Sequence, residues 1–170
     1  ATDDAGNSTT VTDTDVTFGD DLKLKVKEKV KPIIAVTYPT ASATITSATP
    51  TITWTVTDDD SGIDEATIAI KIDSGTYVTS GITTTAITKG FNCSYKIPTS
   101  LSNGAHSFSL KVSDHDGNAA TEVVTSFTVD TVPPALTITS PADGLITNKE
   151  SLTVSGTTND VTSTPVTVTV

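Results

Sequence analysis

The sequence of 170 residues has no arginine, glutamine or methionine, and it has one cysteine and one tryptophan. A lone cysteine permits no intramolecular disulfide, so the chain is not a small disulfide-stapled scaffold. Aromatic residues make up 5% of the chain, too few for a protein built on stacking platforms. There is no signal peptide, and no apolar run reaches the ~20 residues that span a bilayer, so we predict no membrane insertion in this segment.

Positive charge is also scarce. Ten lysines face 20 acidic residues, and the formal net charge is −10. Five of the lysines lie between Leu22 and Lys31 with one glutamate, which gives that stretch +4 and leaves −14 for the rest. No basic face is large enough to hold a phosphate backbone, so we predict that the chain has no nucleic-acid partner.

Threonine, valine and isoleucine are abundant instead. Side chains branched at Cβ are stiff at χ1 and suit the half-buried pleated surface of a sheet. The composition therefore predicts an all-β fold.

Two internal offsets show that the chain repeats. An offset of 111 relates the turn near the start to a later turn, and an offset of 102 relates the stretch after Pro32 to the stretch after Pro134. The first offset joins Gly6 to Gly117, Asn7 to Asn118 and Thr17 to Thr128, and the second joins Pro39 to Pro141, Ile52 to Val154 and Asp58 to Asp160. Shared offsets over several positions indicate tandem modules.

The offsets differ by nine residues, about the length of the lysine-rich stretch, which we interpret as an insertion at the first junction. We predict a closing hairpin of a preceding module at 1–20, a lysine-rich strand or linker at 21–31, one complete module at 32–131 and the first strands of a following module at 132–170. Because the chain starts inside a repeat and without Met, we expect it to be part of a longer protein.

Alternation and turn residues place the strands of the complete module. Ile52, Trp54 and Val56 alternate with threonines and should share the inward face, as should Phe108, Leu110 and Val112. The predicted strands are Ile33–Tyr38, Thr51–Thr57, Thr67–Ile72, Tyr77–Ser80, Thr83–Thr88, Asn92–Ile97, His106–Val112 and Thr121–Val129.

Several motifs resemble tandem bacterial immunoglobulin-like repeats. They are Asp59-Asp60-Ser61-Gly62-Ile63-Asp64, Leu101-Ser102-Asn103-Gly104-Ala105-His106, Asp114-His115-Asp116-Gly117-Asn118 and Phe127-Thr128-Val129-Asp130-Thr131-Val132-Pro133-Pro134. The resemblance implies an immunoglobulin-like β-sandwich of about seven antiparallel strands in a Greek key. It also implies an extracellular location, at the cell surface or secreted, and a non-catalytic role as a stalk or spacer whose partners are neighbouring modules.

Two other functions are compatible with such repeats. The module could bind a host or cell-surface ligand or a carbohydrate as an adhesin, or serve as an accessory domain of a secreted glycoside hydrolase. Neither involves catalysis within the segment, where we find no nucleophile–base pair.

Acidic loops are the candidate binding site. The loop after the second strand and the loop at 114–118 should lie at the same end of such a sandwich, together with the end of the preceding module. Clustered carboxylates on turn backbones suit Ca²⁺, which takes 6–8 oxygen ligands in flexible geometry. The candidate ligands are Asp20, Asp58, Asp60, Asp64, Asp114 and Asp116. Since Asp, Asn and Gly are also ordinary turn residues, a turn without metal is the alternative.

The lysine-rich stretch has three interpretations. It could neutralise the acidic loops in place of a metal, it could add a strand to an exposed sheet edge, or it could be a solvated edge strand whose lysines discourage aggregation. We favour the last, because exposed ion pairs contribute only ~0–1 kcal/mol.

Other reactive residue types have structural interpretations. Trp54 belongs to the core by its alternation, and we expect His106 to bond nearby backbone at a sandwich corner. His115 lacks the partners of a zinc site, which needs three or four ligands. Cys93 is expected to be a small buried residue.

Overall fold

The computed structural model describes residues 5–6 and 27–158, and within this part of the chain it contains ten β-strands. None of the described residues belongs to a helix long and apolar enough to cross a membrane. The strands are β1 (Ile33–Tyr38), β2 (Thr44–Ile45), β3 (Thr51–Thr57), β4 (Ile63–Ile72), β5 (Ile82–Ile87), β6 (Gly90–Lys96), β7 (Gly104–Asp114), β8 (Val123–Val129), β9 (Leu136–Ser140) and β10 (Ser155–Thr158).

Strands β1–β8 form two four-stranded sheets, in the orders β1-β3-β6-β5 and β2-β8-β7-β4. All neighbours pair antiparallel except β2, which runs parallel to β8. The chain between β1 and β2 thus crosses from one sheet to the other. The architecture is the all-β, immunoglobulin-like sandwich that the sequence predicts.

The core lies between the two sheets. Ile52, Trp54 and Val56 of β3 are 0–2% exposed, while the threonines between them face outward. Phe108, Leu110 and Val112 of β7 face them from the other sheet and are equally buried. Period-two alternation in a sandwich produces this segregation, because successive side chains leave opposite faces of a sheet.

Most strand predictions are confirmed. β1 and β3 have the predicted bounds, and β5–β8 overlap their predictions with ends shifted by a few residues. β4 starts at Ile63 rather than near Thr67, because Ile63 and Asp64 pair with Asp114 and Ser113 before a bulge interrupts the ladder.

One predicted strand does not form, and one observed strand was not predicted. Residues 77–80 form no strand; Val78 makes only an isolated bridge to Ile70, with N···O distances of 2.9 and 3.0 Å. β2 was not predicted, because two residues are too short to show alternation.

β9 and β10 form a separate two-stranded sheet that repeats the β1–β3 pairing. Adding 102 to the partners Ile34–Val56 and Val36–Trp54 gives the observed pairs Leu136–Thr158 and Ile138–Gly156. The register shift falls at the equivalent place in both ladders. The shared register supports the internal repeat.

The predicted closing hairpin at 1–20 lies outside the described residues apart from Ala5 and Gly6, and residues 21–26 of the lysine-rich stretch also lie outside them. Residues 27–31 belong to no strand. For these five residues the structure thus has a linker rather than a strand, the second of the two predicted possibilities.

Candidate functional site

Two acidic turns meet at one end of the sandwich. Asp58 directly follows β3, and Asp114 is the last residue of β7. The turns are joined through the pairing of Ile63 with Asp114 and through His115 N–H, which donates to Gly62 O at 3.1 Å. The predicted proximity of the two loops is confirmed.

The first turn is organised by one oxygen of Asp58. Its Oδ1 accepts hydrogen bonds from the main-chain N–H groups of Gly62 at 2.8 Å and Asp60 at 3.1 Å. Gly62 has φ +81°, a conformation that glycine adopts without steric cost. Asp58 is only 5% exposed, and its other oxygen, Oδ2, is buried without a hydrogen-bond partner.

The second turn is organised by Asp114 in the same way. Its Oδ1 accepts from Asn118 N–H and its Oδ2 from Asn118 Nδ2, both at 2.7 Å. Burial alone would raise the pKa of Asp114, but the donors on Asn118 stabilise the carboxylate and lower that pKa to about 2. Asp114 is therefore an anion that is 2% exposed.

The end of the lysine-rich stretch reaches both turns through Glu28. Glu28 N–H donates to Asp116 Oδ2 at 3.0 Å, and Glu28 Oε1 accepts from Ser61 Oγ and Asn118 Nδ2 at 3.1 Å each. Burial and a hydrogen bond with the Asp114 carboxyl raise the pKa of Glu28. Two carboxyl groups in contact resist simultaneous ionisation, which favours a proton or a cation between them.

Glu28, Asp58 and Asp114 together form a carboxylate cluster. One oxygen from each lies within 4.8 Å of the others. The three residues come from three separate segments, and two of them are buried. We refer to these three residues as the acidic triad.

The six predicted metal ligands do not all lie in the acidic triad. Asp58 and Asp114 lie in the triad, whereas Asp60, Asp64 and Asp116 lie outside it. Asp60 is exposed, Asp64 lies in β4 and caps Ala66 N–H at 3.2 Å, and Asp116 holds the Glu28 backbone. Asp20 is outside the described residues.

Sequence reasoning missed Glu28. It is the single acidic residue among five lysines, and this isolation was the available indication that it differs from its neighbours. Its charge was instead counted only as a reduction of the positive charge of the stretch.

Lys27, Lys29 and Lys31, the three lysines of the stretch within the described residues, form no ion pair with the triad. Lys27 Nζ donates to the main-chain oxygen of Asp116 at 3.0 Å rather than to a carboxylate. Lys89, from the β5–β6 turn, pairs with Asp59 at 2.8 Å. It is the acidic residue of the stretch that enters the acidic end of the sandwich.

The remaining candidate residues are structural. Trp54 is 2% exposed, as predicted, and so cannot stack on a ligand. Cys93 is 3% exposed, and burial raises the pKa of its thiol to about 12. A thiol that stays protonated is a poor nucleophile.

His106 bonds nearby backbone, as predicted. Its Nε2 lies 2.9 Å from Ser102 O and its Nδ1 lies 2.8 Å from Asp73 Oδ2. A neutral ring can donate to only one of these acceptors, so the pair of contacts favours the imidazolium. Burial opposes the charge, but Asp73 and Ser102 outweigh it and raise the pKa of His106. His115 is an exposed turn residue.

Comparisons with known proteins agree with this architecture. The family model described as "Bacterial Ig-like domain" matches residues 34–131, and the model described as "Glucodextranase, domain B" matches residues 134–170. No sequence match to a curated protein was found.

Solved structures also resemble the chain. Dimeric latent PorU from Porphyromonas gingivalis is 22% identical with a TM-score of 0.51, over 65% of this chain and 12% of that chain. CopC from Methylosinus trichosporium OB3b is 22% identical with a TM-score of 0.43, over 58% of this chain and 94% of that one. The fibronectin(III)-like modules of Clostridium thermocellum CbhA are 20% identical with a TM-score of 0.40, over 57% and 96%.

The chain spans a small fraction of PorU, and the likeness at this identity shows the fold alone. The family model, in contrast, covers the β1–β8 sandwich except for Ile33, the first residue of β1, and more than half of the sequence. The chain belongs to the bacterial Ig-like domain family.

Proposed function

We propose that this chain is a non-catalytic extracellular spacer, a stalk segment of a large bacterial surface or secreted protein. Its partners are then the neighbouring modules of the same protein. Family membership and the repeated strand register of β1–β3 and β9–β10 support this proposal, because tandem sandwiches are suited to projecting other domains.

The observation that carries the proposal is the parallel pairing of β2 with β8. β2 lies near the start of the sandwich, and β8 is its last strand. If the chain is pulled from both sides, parallel strands at the two ends of a module are drawn in opposite directions along their length. The bonds between them are then sheared together rather than opened one at a time.

Main-chain hydrogen bonds extend the β2–β8 ladder on both sides of the two paired residues. Ser42 N–H donates to Ser126 O at 2.8 Å, Thr128 N–H to Ala43 O at 2.8 Å and Asp130 N–H to Ile45 O at 2.9 Å. Ile45 is 5% exposed and belongs to the core, so the short strand is anchored by packing as well. This arrangement suits a module under tension.

Force spectroscopy on the whole chain, held at its two ends, tests the proposal. Ile45→Ala removes packing beneath the sheared pair, and Ile97→Ala removes the same side chain from a site that is 3% exposed and lies just after β6. Both should cost about 2–5 kcal/mol at equilibrium, but Ile45→Ala should lower the unfolding force more. Equal reductions of the force in the two variants would contradict a mechanical role for β2.

The adhesin alternative needs an exposed platform for a sugar or another ligand. Trp54 is buried, and the ring of Tyr77 is covered by the ammonium groups of Lys71 and Lys111, 4.9 and 4.3 Å from its centroid. Tyr38, at 43%, is the one aromatic residue in the described part of the chain with more than a third of its surface exposed, and a single ring is a small platform. A glycan array probed with the whole chain should therefore give no specific binding. Saturable binding of one glycan class would support the adhesin function instead.

A further inference from the structure

The geometry of the acidic triad matches the coordination shell of one calcium ion. Ca²⁺ binds oxygen at about 2.3–2.6 Å, so two ligands on opposite sides of the ion are about 4.6–5.2 Å apart. The three carboxylate oxygens of Glu28, Asp58 and Asp114 all lie within 4.8 Å of one another. The three oxygens are therefore close enough together for one ion to contact all of them.

Asp58 Oδ2 points independently to a ligand. The residue is 5% exposed, and this oxygen has no hydrogen-bond partner, while Oδ1 of the same carboxylate accepts two main-chain N–H groups. Leaving a buried carboxylate oxygen unpaired is costly, and buried charges are normally paired or bound to metal. A cation bound by the Asp58 carboxylate would give this oxygen a partner.

The charge of the acidic triad also favours a bound cation. Three carboxylates at these distances repel one another. Two side chains donate hydrogen bonds to Glu28 Oε1, namely Ser61 through Oγ and Asn118 through Nδ2, and both are neutral. Lys27, the adjacent ammonium group, bonds instead to a main-chain carbonyl at 3.0 Å. Counting the described residues alone, the triad thus has an excess of negative charge at its buried side.

We propose that Glu28, Asp58 and Asp114 bind one Ca²⁺ ion, with water completing the 6–8 ligands that the ion prefers. Glu28 belongs to the lysine-rich stretch, and Asp58 and Asp114 belong to the sandwich. The ion would therefore fasten the preceding segment of the chain to the complete module. This calcium site deepens the proposed spacer function, and its biological meaning rests on that function.

Calorimetric titration of CaCl₂ into the chelator-treated 170-residue chain tests the site. We expect one ion per chain and a melting temperature that rises by roughly 10 °C when calcium exceeds the Kd a hundredfold. Glu28→Gln and Asp58→Asn should each weaken calcium binding by at least about tenfold. Asp58→Asn keeps an oxygen to accept the Gly62 N–H, so its turn should still form.

Asp59→Asn is the matched control. Asp59 is an exposed neighbour in the same loop and pairs with Lys89, so this variant removes the same charge and should bind calcium as the unaltered chain does. A loss of affinity equal to that of Asp58→Asn would overturn the assigned ligands. MgCl₂ should bind at least about tenfold more weakly, since Mg²⁺ demands octahedral geometry and gives up its water reluctantly.

Limited trypsin digestion tests directly whether calcium holds the lysine-rich stretch against the sandwich. Calcium should slow cleavage after Lys27 and Lys29, which flank Glu28, and leave cleavage after Lys149 unchanged. No heat and no rise in melting temperature would overturn the calcium site. The force measurement on Ile45→Ala and Ile97→Ala is made without calcium, so it judges the spacer function separately.

Discussion

Asn118 Nδ2 lies 2.7 Å from Asp114 Oδ2 and 3.1 Å from Glu28 Oε1, and it thereby joins the β7–β8 turn to a residue 90 positions earlier in the chain. The same nitrogen lies 3.1 Å from the main-chain oxygen of Glu28. One amide group thus holds both the turn and the segment that precedes the sandwich.

Asn118→Ala should destabilise the sandwich by about 1–3 kcal/mol, because it removes the amide donor from the buried Asp114 carboxylate. Urea denaturation followed by the fluorescence of Trp54 measures the change. Asn92→Ala, on the exposed face of β6, should stay within about 0.5 kcal/mol of the unaltered chain. Similar losses in the two variants would show that the Asn118 amide has no special role.

Gly90→Ala should be among the most destabilising single-methyl additions in the chain. A Cβ at Gly90 would lie 1.9 Å from Val56 O, so the β3–β6 ladder must open to admit it. We expect a loss of at least about 2 kcal/mol in urea denaturation.

Gly117→Ala provides the comparison for Gly90→Ala. A Cβ there meets nothing within 4 Å, but the residue has φ +91°, so only the conformational cost of about 1 kcal/mol applies. A smaller loss for Gly90→Ala than for Gly117→Ala would contradict the close approach of β6 to β3.

His106 should make stability depend on pH above about pH 6.5. Its folded pKa is raised above the unfolded value of 6.5, so its contribution is full below about pH 6.5 and disappears as the pH rises through the folded pKa. Asp73→Asn removes the carboxylate that holds the charged ring and should reduce this dependence. Melting temperatures between pH 5 and pH 8.5, with an NMR titration of the His106 ring, measure both effects.

His115→Asn is the control for that experiment, because this exposed turn residue is not held between two acceptors. The variant should keep the pH dependence of the unaltered chain. Loss of the dependence in His115→Asn, with its retention in Asp73→Asn, would contradict the assignment to the Asp73–His106 pair.

Cys93 should resist thiol reagents until the sandwich unfolds. It is 3% exposed and burial raises the pKa of its thiol to about 12, so at pH 8 only about one molecule in ten thousand carries the reactive thiolate. Labelling with a disulfide reagent should be at least about a hundredfold slower in native buffer than in 6 M guanidinium. Comparable rates would show that the β3–β6 face opens readily.

Much of the fold could be predicted because its determinants are local. The alternation of Ile52, Trp54 and Val56 with threonines defines both the bounds and the inward face of β3. Turn residues such as Ser102-Asn103-Gly104 mark where a strand begins, here β7. The strand register of β9 and β10 follows from that of β1 and β3 because the two segments share an offset of 102.

The differences between the predicted and the observed strands share a cause. β2 exists only because Thr44 and Ile45 lie beside Thr128 and Val129, and a two-residue strand has no pattern of its own. Residues 77–80 have the composition of a strand but a single bridge to Ile70, and residues 27–31 alternate without pairing. Composition indicates which residues could pair, whereas pairing itself needs a neighbouring strand.

The sequence by itself determined the all-β class, the repeat, the buried faces and the presence of acidic turns at Asp58 and Asp114, since each depends on spacing along the chain. Only the tertiary structure decided that Glu28 joins those two turns and that Asp60, Asp64 and Asp116 lie outside the triad. The physical reason is that a cluster of carboxylates depends on distances in space between segments far apart in sequence. Within each turn, moreover, the hydrogen bonds of the backbone decide which carboxylate oxygens are already satisfied and which one, Asp58 Oδ2, is left without a partner.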